Sequence, residues 1–337
     1  MSNRRFLLGS LILLTLGTLC ITPFVGTQAI APGMIISDNT HPLEFDIFWR
    51  LRVPRTCMAF LAGMALSVSG MAFQAMFRNP LATPFTLGVA GGASLGSALC
   101  IRLGLAFTLL GIGSHVLCAF GGALLTILLV YSLTRVRQGF SCATLLLAGV
   151  AISFFSSSLI LFIQYLCGFV DSYRIMRWLM GELAITGYAG IKNLLPFVVI
   201  GCGILLCLTR ELNLLISGEE IAASRGVDLK RIKKLLFLAT SLMVGGVVAL
   251  CGPIGFVGMM VPHICRLCFG ADHRLLTPAV LLFGGSFLTL CDTLARTLIA
   301  PAEMPVGVIT ALLGGPFFLW LLMGGGLKQG GFFDSKQ

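Results

Sequence analysis

Apolar residues run unbroken along this chain in stretches of roughly twenty. They do not alternate with polar residues as a strand with one wet face would, so each stretch reads as a helix. Lipid supplies no hydrogen-bond partner for a backbone, which leaves helices or a closed barrel, and continuous apolar runs select helices. Ten such segments follow one another, near 6–25, 54–77, 85–101, 114–133, 143–167, 194–208, 235–250, 254–268, 276–294 and 306–323. Between the fifth and sixth, "DSYRIMRWLMGELAITGYAG" is polar enough to hold a short helix outside the bilayer core. A loop of about 26–53 separates the first two spans. The pattern predicts an all-α, polytopic membrane protein of about ten spans, one transmembrane domain over residues 1–337.

Composition agrees. The chain is 57% hydrophobic and only 11% charged, against about 25% charged in soluble domains, and its mean hydropathy is +0.99. The net charge of +10 does not point to nucleic acid, because the charges sit in loops between spans. They also set an orientation. With the N-terminus inside, fifteen Lys and Arg fall on the inner side, from Arg4 and Arg5 through Lys230, Arg231, Lys233 and Lys234 to Lys336, and eight fall outside. Both termini are therefore expected in the cytoplasm. The opening "MSNRRFLLGSLILLTLGTLCITPFVG" starts like a signal peptide, but its apolar run is too long for one, and a retained first span is expected. Twelve cysteines are scattered without framework spacing, so they read as small apolar residues rather than disulfides. Many of the 41 glycines stand at small-xxx-small spacing, as at Gly63/Ser67 and Gly88/Gly92/Gly96, which suits helices packed backbone to backbone.

Several chemistries are excluded. No G-x-x-x-x-G-K-[ST] occurs, so the chain has no P-loop and is not expected to hydrolyse ATP. Gly92 to Gly96 spells G-x-S-x-G inside an apolar helix, where packing explains it. Cys265 and Cys268 lack a second Cys or His pair, and the four histidines form no ligand cluster, so no metal or cofactor is expected on this chain. An ion-coupled carrier usually places an acid in mid-membrane, yet the first eight segments have none in their interiors. Asp292, near the outer end of the ninth, stands four residues before Arg296, where the two share a helix face and can pair.

The charge missing from the spans gathers in "GEEIAASRGVDLKRIKK", Gly218 to Lys234. Ser217 or Gly218 can cap a helix that carries Glu219 and Glu220 in its first turn, favourable at the positive helix end. Gly226 ends that helix, and Asp228 can cap the next, which re-enters the bilayer behind four basic residues. Two short helices bent at a glycine make a compact knob, able to enter a cleft on another protein and carry force.

That segment resembles the coupling segment of type II ABC-importer permeases. More broadly the chain resembles the FecCD-type permease family, importers of iron–siderophores, haem and cobalamin. "RLRVPRT", "GMALSVSGMAFQAMFRNPLATPFTLGVAGGASLG", "LLLAGVAIS", "GPIGFVGMMVPHICRLCFGADHR" and "PAEMPVGVITALLGGPFFLWLL" carry the likeness over most of the chain. The resemblance implies a fold like that of the cobalamin-importer permease and a homodimer in the bacterial inner membrane. It also implies two separate ATPase subunits that use ATP and Mg, and a periplasmic protein that delivers substrate. It implies that Glu219, Ile221, Ala222, Ala223, Arg225 and Gly226, within about 217–230, engage the ATPase. Arg52, Arg55 and Arg296 would meet acids on the binding protein. Asn79, Pro80 and Leu81, with Ser141, Cys142 and Ala143, would close the pathway inside, although Cys142 and Ala143 depart from the small hydroxyl residues expected there. An ion-coupled secondary transporter and a non-transport membrane scaffold are the rival readings. The motifs do not separate siderophore from haem or cobalamin cargo.

Overall fold

A computed structural model of the chain describes residues 2–26, 28, 30, 31, 33, 42–109, 111–136, 142–183 and 185–323. Helix α1 (Ser2–Ile21) comes first. A short α2 (Pro42–Asp46) passes through a π-helical stretch (Ile47–Arg52) into α3 (Val53–Phe77). A 3-10 turn (Pro84–Leu87) leads into α4 (Val89–Arg102), and a small antiparallel hairpin, β1 (Thr108–Leu109) with β2 (Ile112–Gly113), into α5 (Ser114–Val136). The hairpin is the one departure from all-α among the described residues, a turn at Gly111 with φ of 78°. Then come α6 (Cys142–Leu166), α7 (Phe169–Leu179), α8 (Ala189–Cys207), α9 (Thr209–Ser217) and α10 (Glu219–Ser224). The last are α11 (Leu229–Cys251), α12 (Val257–Phe269), α13 (His273–Thr297) and α14 (Val306–Met323).

Local chemistry explains the boundaries. Pro54 lacks the N–H that would continue the helical ladder, and it stands where the π-helical stretch gives way to α3. Asp228 accepts from the Arg231 amide to cap α11, and Asp272 from the Arg274 amide to cap α13. The polar stretch after the fifth apolar segment does hold a short helix, α7. Among the described residues, six helical stretches are long and apolar enough to cross a membrane: Leu43–Phe77, Ser114–Leu133, Thr144–Leu166, Ala189–Cys207, Leu229–Cys251 and His273–Thr297. Four further apolar helices are shorter: Phe6–Ile21, Val89–Arg102, Val257–Phe269 and Val306–Leu321. Together they fall on the ten apolar segments of the sequence.

Apolar helices of similar composition take different places. The apolar windows of α3, α11 and α13 are 78%, 72% and 67% buried, those of α5 and α6 only 28% and 22%. Helices α3, α11 and α13 thus form the centre, where apolar residues on every face are covered by protein. Close approach depends on glycine. A Cβ on Gly63 of α3 would run into the Gly284 carbonyl of α13, and one on Gly122 of α5 into the Gly92 carbonyl of α4. The small-residue spacings read from the sequence therefore mark real backbone contacts. Among the described cysteines all are free thiols.

Candidate functional site

Candidate functional side chains collect at the two ends of the bundle, joined by α13. Its 25 residues at 1.5 Å each separate the ends by about 37 Å.

At one end, Gly218 (φ 129°) turns α9 into α10, and Gly226 (φ 83°) turns α10 toward α11. The Gly226 amide donates to the Ala223 carbonyl at 2.9 Å and the Val227 amide to that of Ala222 at 3.1 Å, closing the short helix. Ile221, Ala223, Arg225 and Gly226 lie exposed on this knob. Ala222, grouped with them from the sequence, faces inward and is fully buried. A helix of six residues has an inner face as well as an outer one, and Ala222 falls on the inner. Glu219 does not point freely outward either; its Oε1 meets Lys233 Nζ of α11 at 2.7 Å, and Lys233 is itself buried.

Sequence reasoning missed α9, which braces the knob. Its Leu212 and Leu215 are buried, while Asn213 reaches α13: Nδ2 donates to Asp272 Oδ1 at 2.7 Å and Oδ1 accepts from the His273 amide at 2.8 Å. Donation from the Arg274 amide and then from Asn213 holds the Asp272 carboxyl below the usual carboxylate range. Asn213, Asp272 and Lys233 are functional candidates with no local signal beyond the apolar spacing of Leu212 and Leu215.

At the other end, Arg52, Arg55 and Arg296 line one cavity of about 320 Å³, together with Glu303 of the segment joining α13 to α14. The structure brings the three arginines together, but not as loose surface forks. Arg52 is buried and donates through Nη1 to the carbonyls of Pro23 (3.2 Å) and Phe24 (3.1 Å) and through Nη2 to that of Gln28. Arg296 is buried too, its Nε 3.3 Å from Asp292 Oδ2, which realises the i, i+4 pair read from the sequence. Arg55 grips Asp292 with Nε and Nη2, each at 3.0 Å, and gives Nη1 to Glu303 Oε2 at 2.6 Å. A guanidinium leaving water needs partners, and each arginine has found oxygen within the chain, although Arg296 Nε meets Asp292 as an ion pair without a hydrogen bond. Close by, Arg177 of α7 donates to Glu182 at 2.5 Å, which raises its pKa.

Of the positions expected to form an inner gate, Asn79, Pro80 and Leu81 follow α3 in a tight turn, with Asn79 Oδ1 accepting from the Leu81 amide at 2.9 Å and Leu81 exposed. Cys142 and Ala143 open α6, where only their backbone is described, and Ser141 lies outside the described residues. The stretch after this turn does reach α6: a Cβ on Gly149 would run into the carbonyl of Thr86.

A polytopic helical bundle with a braced knob at one end and an arginine-lined cavity at the other has the architecture of a membrane permease. Comparison with known proteins is specific. Residues 12–324 match the model of the FecCD transport family, and the chain belongs to that family. It is 38% identical to the hemin transport system permease protein HmuU of Yersinia pestis, over 94% of both chains. It is 40% identical to the vitamin B12 import system permease protein BtuC of Klebsiella pneumoniae, over 95% of this chain and 94% of that one. A solved transporter assigned to the metal-chelate type of ABC transporter, in an inward-facing conformation, superposes with a TM-score of 0.84 at 30% identity, covering 95% of this chain and 99% of that one.

Proposed function

We propose that this chain is the membrane-spanning subunit of an ATP-driven importer that moves a bulky metal chelate, an iron–siderophore, haem or cobalamin, across the bacterial inner membrane. It spans the membrane many times with both termini in the cytoplasm. Two copies form the pathway, two ATPase subunits with ATP and Mg drive it, and a periplasmic substrate-binding protein loads it. The relatives named for hemin and vitamin B12, and the solved metal-chelate transporter, support the cargo class, since each is a metal held in a large organic frame.

The observation that carries this reading is the knob: Ile221, Ala223, Arg225 and Gly226 exposed at its surface, with Glu219 and Asn213 bracing it to α11 and α13. A surface that only met water would need no such bracing. When ATP closes the ATPase pair around the knobs, displacement passes through the Glu219–Lys233 pair into α11. It also passes through Asn213 into α13, which leads from the knob to the arginine cavity. A stiff helix transmits it without loss, and the bundle changes which side is open. Asn79 to Leu81 and 141–143 would form the constriction this motion opens.

An ion-coupled carrier would need an acid free to gain and lose a proton, whereas Asp292 is locked between Arg55 and Arg296. The test is at Gly226, whose φ of 83° a β-branched residue adopts only with strain of about 1–2 kcal/mol. In proteoliposomes holding the assembled importer, Gly226→Val should leave ATP hydrolysis running while uptake falls about tenfold, and Gly226→Asn, which tolerates this backbone, should restore most of it. Unchanged uptake in Gly226→Val would remove the knob from the mechanism.

A further inference from the structure

The arginine cavity holds an acid of its own. Asp292 takes two of the nitrogens that Arg55 offers and is 1% exposed, so it is the permanent partner. Glu303 takes only Nη1, and its side chain is 42% exposed. If Glu303 left, Arg55 would stay fixed in place by Asp292 with Nη1 aimed into a cavity of about 320 Å³, ample for an incoming carboxylate. Glu303 also borders a second cavity, of about 500 Å³, that it shares with Ala302 and Pro305, with Tyr173 and Arg177 of α7, and with Met180 just past the end of α7. Glu303 already adds to the field at Arg177, which holds Glu182 through one nitrogen, Nη2, and has others to offer a second carboxylate. The segment bearing it runs directly into α14, whose Gly307 lies so close to the Met180 carbonyl that no Cβ would fit.

We propose that Glu303 is an internal stand-in for a carboxylate of the docking protein: an acidic side chain presented by the substrate-binding protein takes Nη1 of Arg55, and Glu303 crosses to Arg177, carrying the start of α14 with it. The exchange rests on the docking reading of the arginine cavity given above. Its chemistry is a swap of like for like, one carboxylate replacing another on the same donor, so it costs little charge separation and leaves no guanidinium bare. Docking would thereby be reported to α14, and an unloaded importer would keep its arginine quenched.

The experiment measures affinity of the importer's own soluble binding protein for the assembled transporter in nanodiscs, at 50 and 500 mM salt. Removing the internal competitor with Glu303→Gln should tighten binding about two- to fivefold, the range of a half-exposed ion pair. Arg177→Met should weaken binding by a similar factor in the native chain and have no effect in the Glu303→Gln background, because the acceptor matters only when Glu303 must move. If Glu303→Gln leaves affinity unchanged or lowers it while high salt weakens native binding, the exchange is wrong and charged docking stands. An effect of Arg177→Met that is equal in both backgrounds overturns the crossing step. Salt-independent binding, unaltered by Glu→Gln changes in the binding protein's lobes, overturns the docking reading itself.

Discussion

Asp292 shows how much one side chain can organise. Arg55 comes to it from α3 and Arg296 from one turn further along α13, and the carboxylate is almost wholly out of water. Breaking a buried ion cluster by removing its shared acid leaves Arg296 without an ion-pair partner and Arg55 with Glu303 alone, and loss of a buried partner costs about 3–5 kcal/mol. Asp292→Asn should therefore lower the melting temperature of the purified protein sharply, whereas Asp292→Asn combined with Arg55→Met should recover part of the loss; full stability in the single variant would refute the cluster. The Asp292–Arg296 half was legible in the sequence, because four residues along a helix is a fixed neighbour relation. The Arg55 half was not, since 237 positions separate the partners and nothing in the local pattern joins them. The same distance blindness hid the carbonyls of Pro23, Phe24 and Gln28 that hold Arg52. Ala222 looked like a contact residue for a different reason: in so short a helix, spacing alone does not tell the inner face from the outer.

Among elements, the knob was the most readable. Gly226 and Asp228 have local duties, a left-handed turn and a helix cap, and these are set by neighbours within a few residues. Helix α9 escaped notice because "TRELNLLIS" is short, and its opening Thr209, Arg210 and Glu211 read as the polar end of the span before it. The contacts between α4 and α5 were foreshadowed by the Gly88/Gly92/Gly96 spacing, but their partner was not; it is Gly122 and Thr126 that face Gly92. Because backbone meets backbone there, Gly122→Leu has nowhere to put its side chain and should cost more than the about 1–3 kcal/mol of ordinary overpacking. Loss of monodisperse protein in detergent for Gly122→Leu, but not for Gly121→Leu, where a Cβ meets nothing within 4 Å, would check that.

At the scale of the whole molecule, the proposed mechanism has the two ends of α13 answering to different partners and the bundle between them transmitting. This makes a prediction about isolation. Reconstituted alone in liposomes, the purified chain should show no uptake of ferric siderophore, hemin or cobalamin under a proton or sodium gradient. Uptake should appear with the ATPase subunits, the binding protein and ATP together. Gradient-driven uptake by the chain alone would return it to the ion-coupled carriers.

Hydrophobic runs of membrane length and the turn chemistry around residues 217–230 were enough to give the helical class, the ten apolar helical segments and the position of the knob, because each depends on residues close together in the chain. Which helices lie at the centre, which acid holds which arginine, and how the knob is tied to α11 and α13 came only with the folded chain. Those relations join residues from 14 to 237 positions apart, and a free energy that depends on who meets whom in space has no expression along a line.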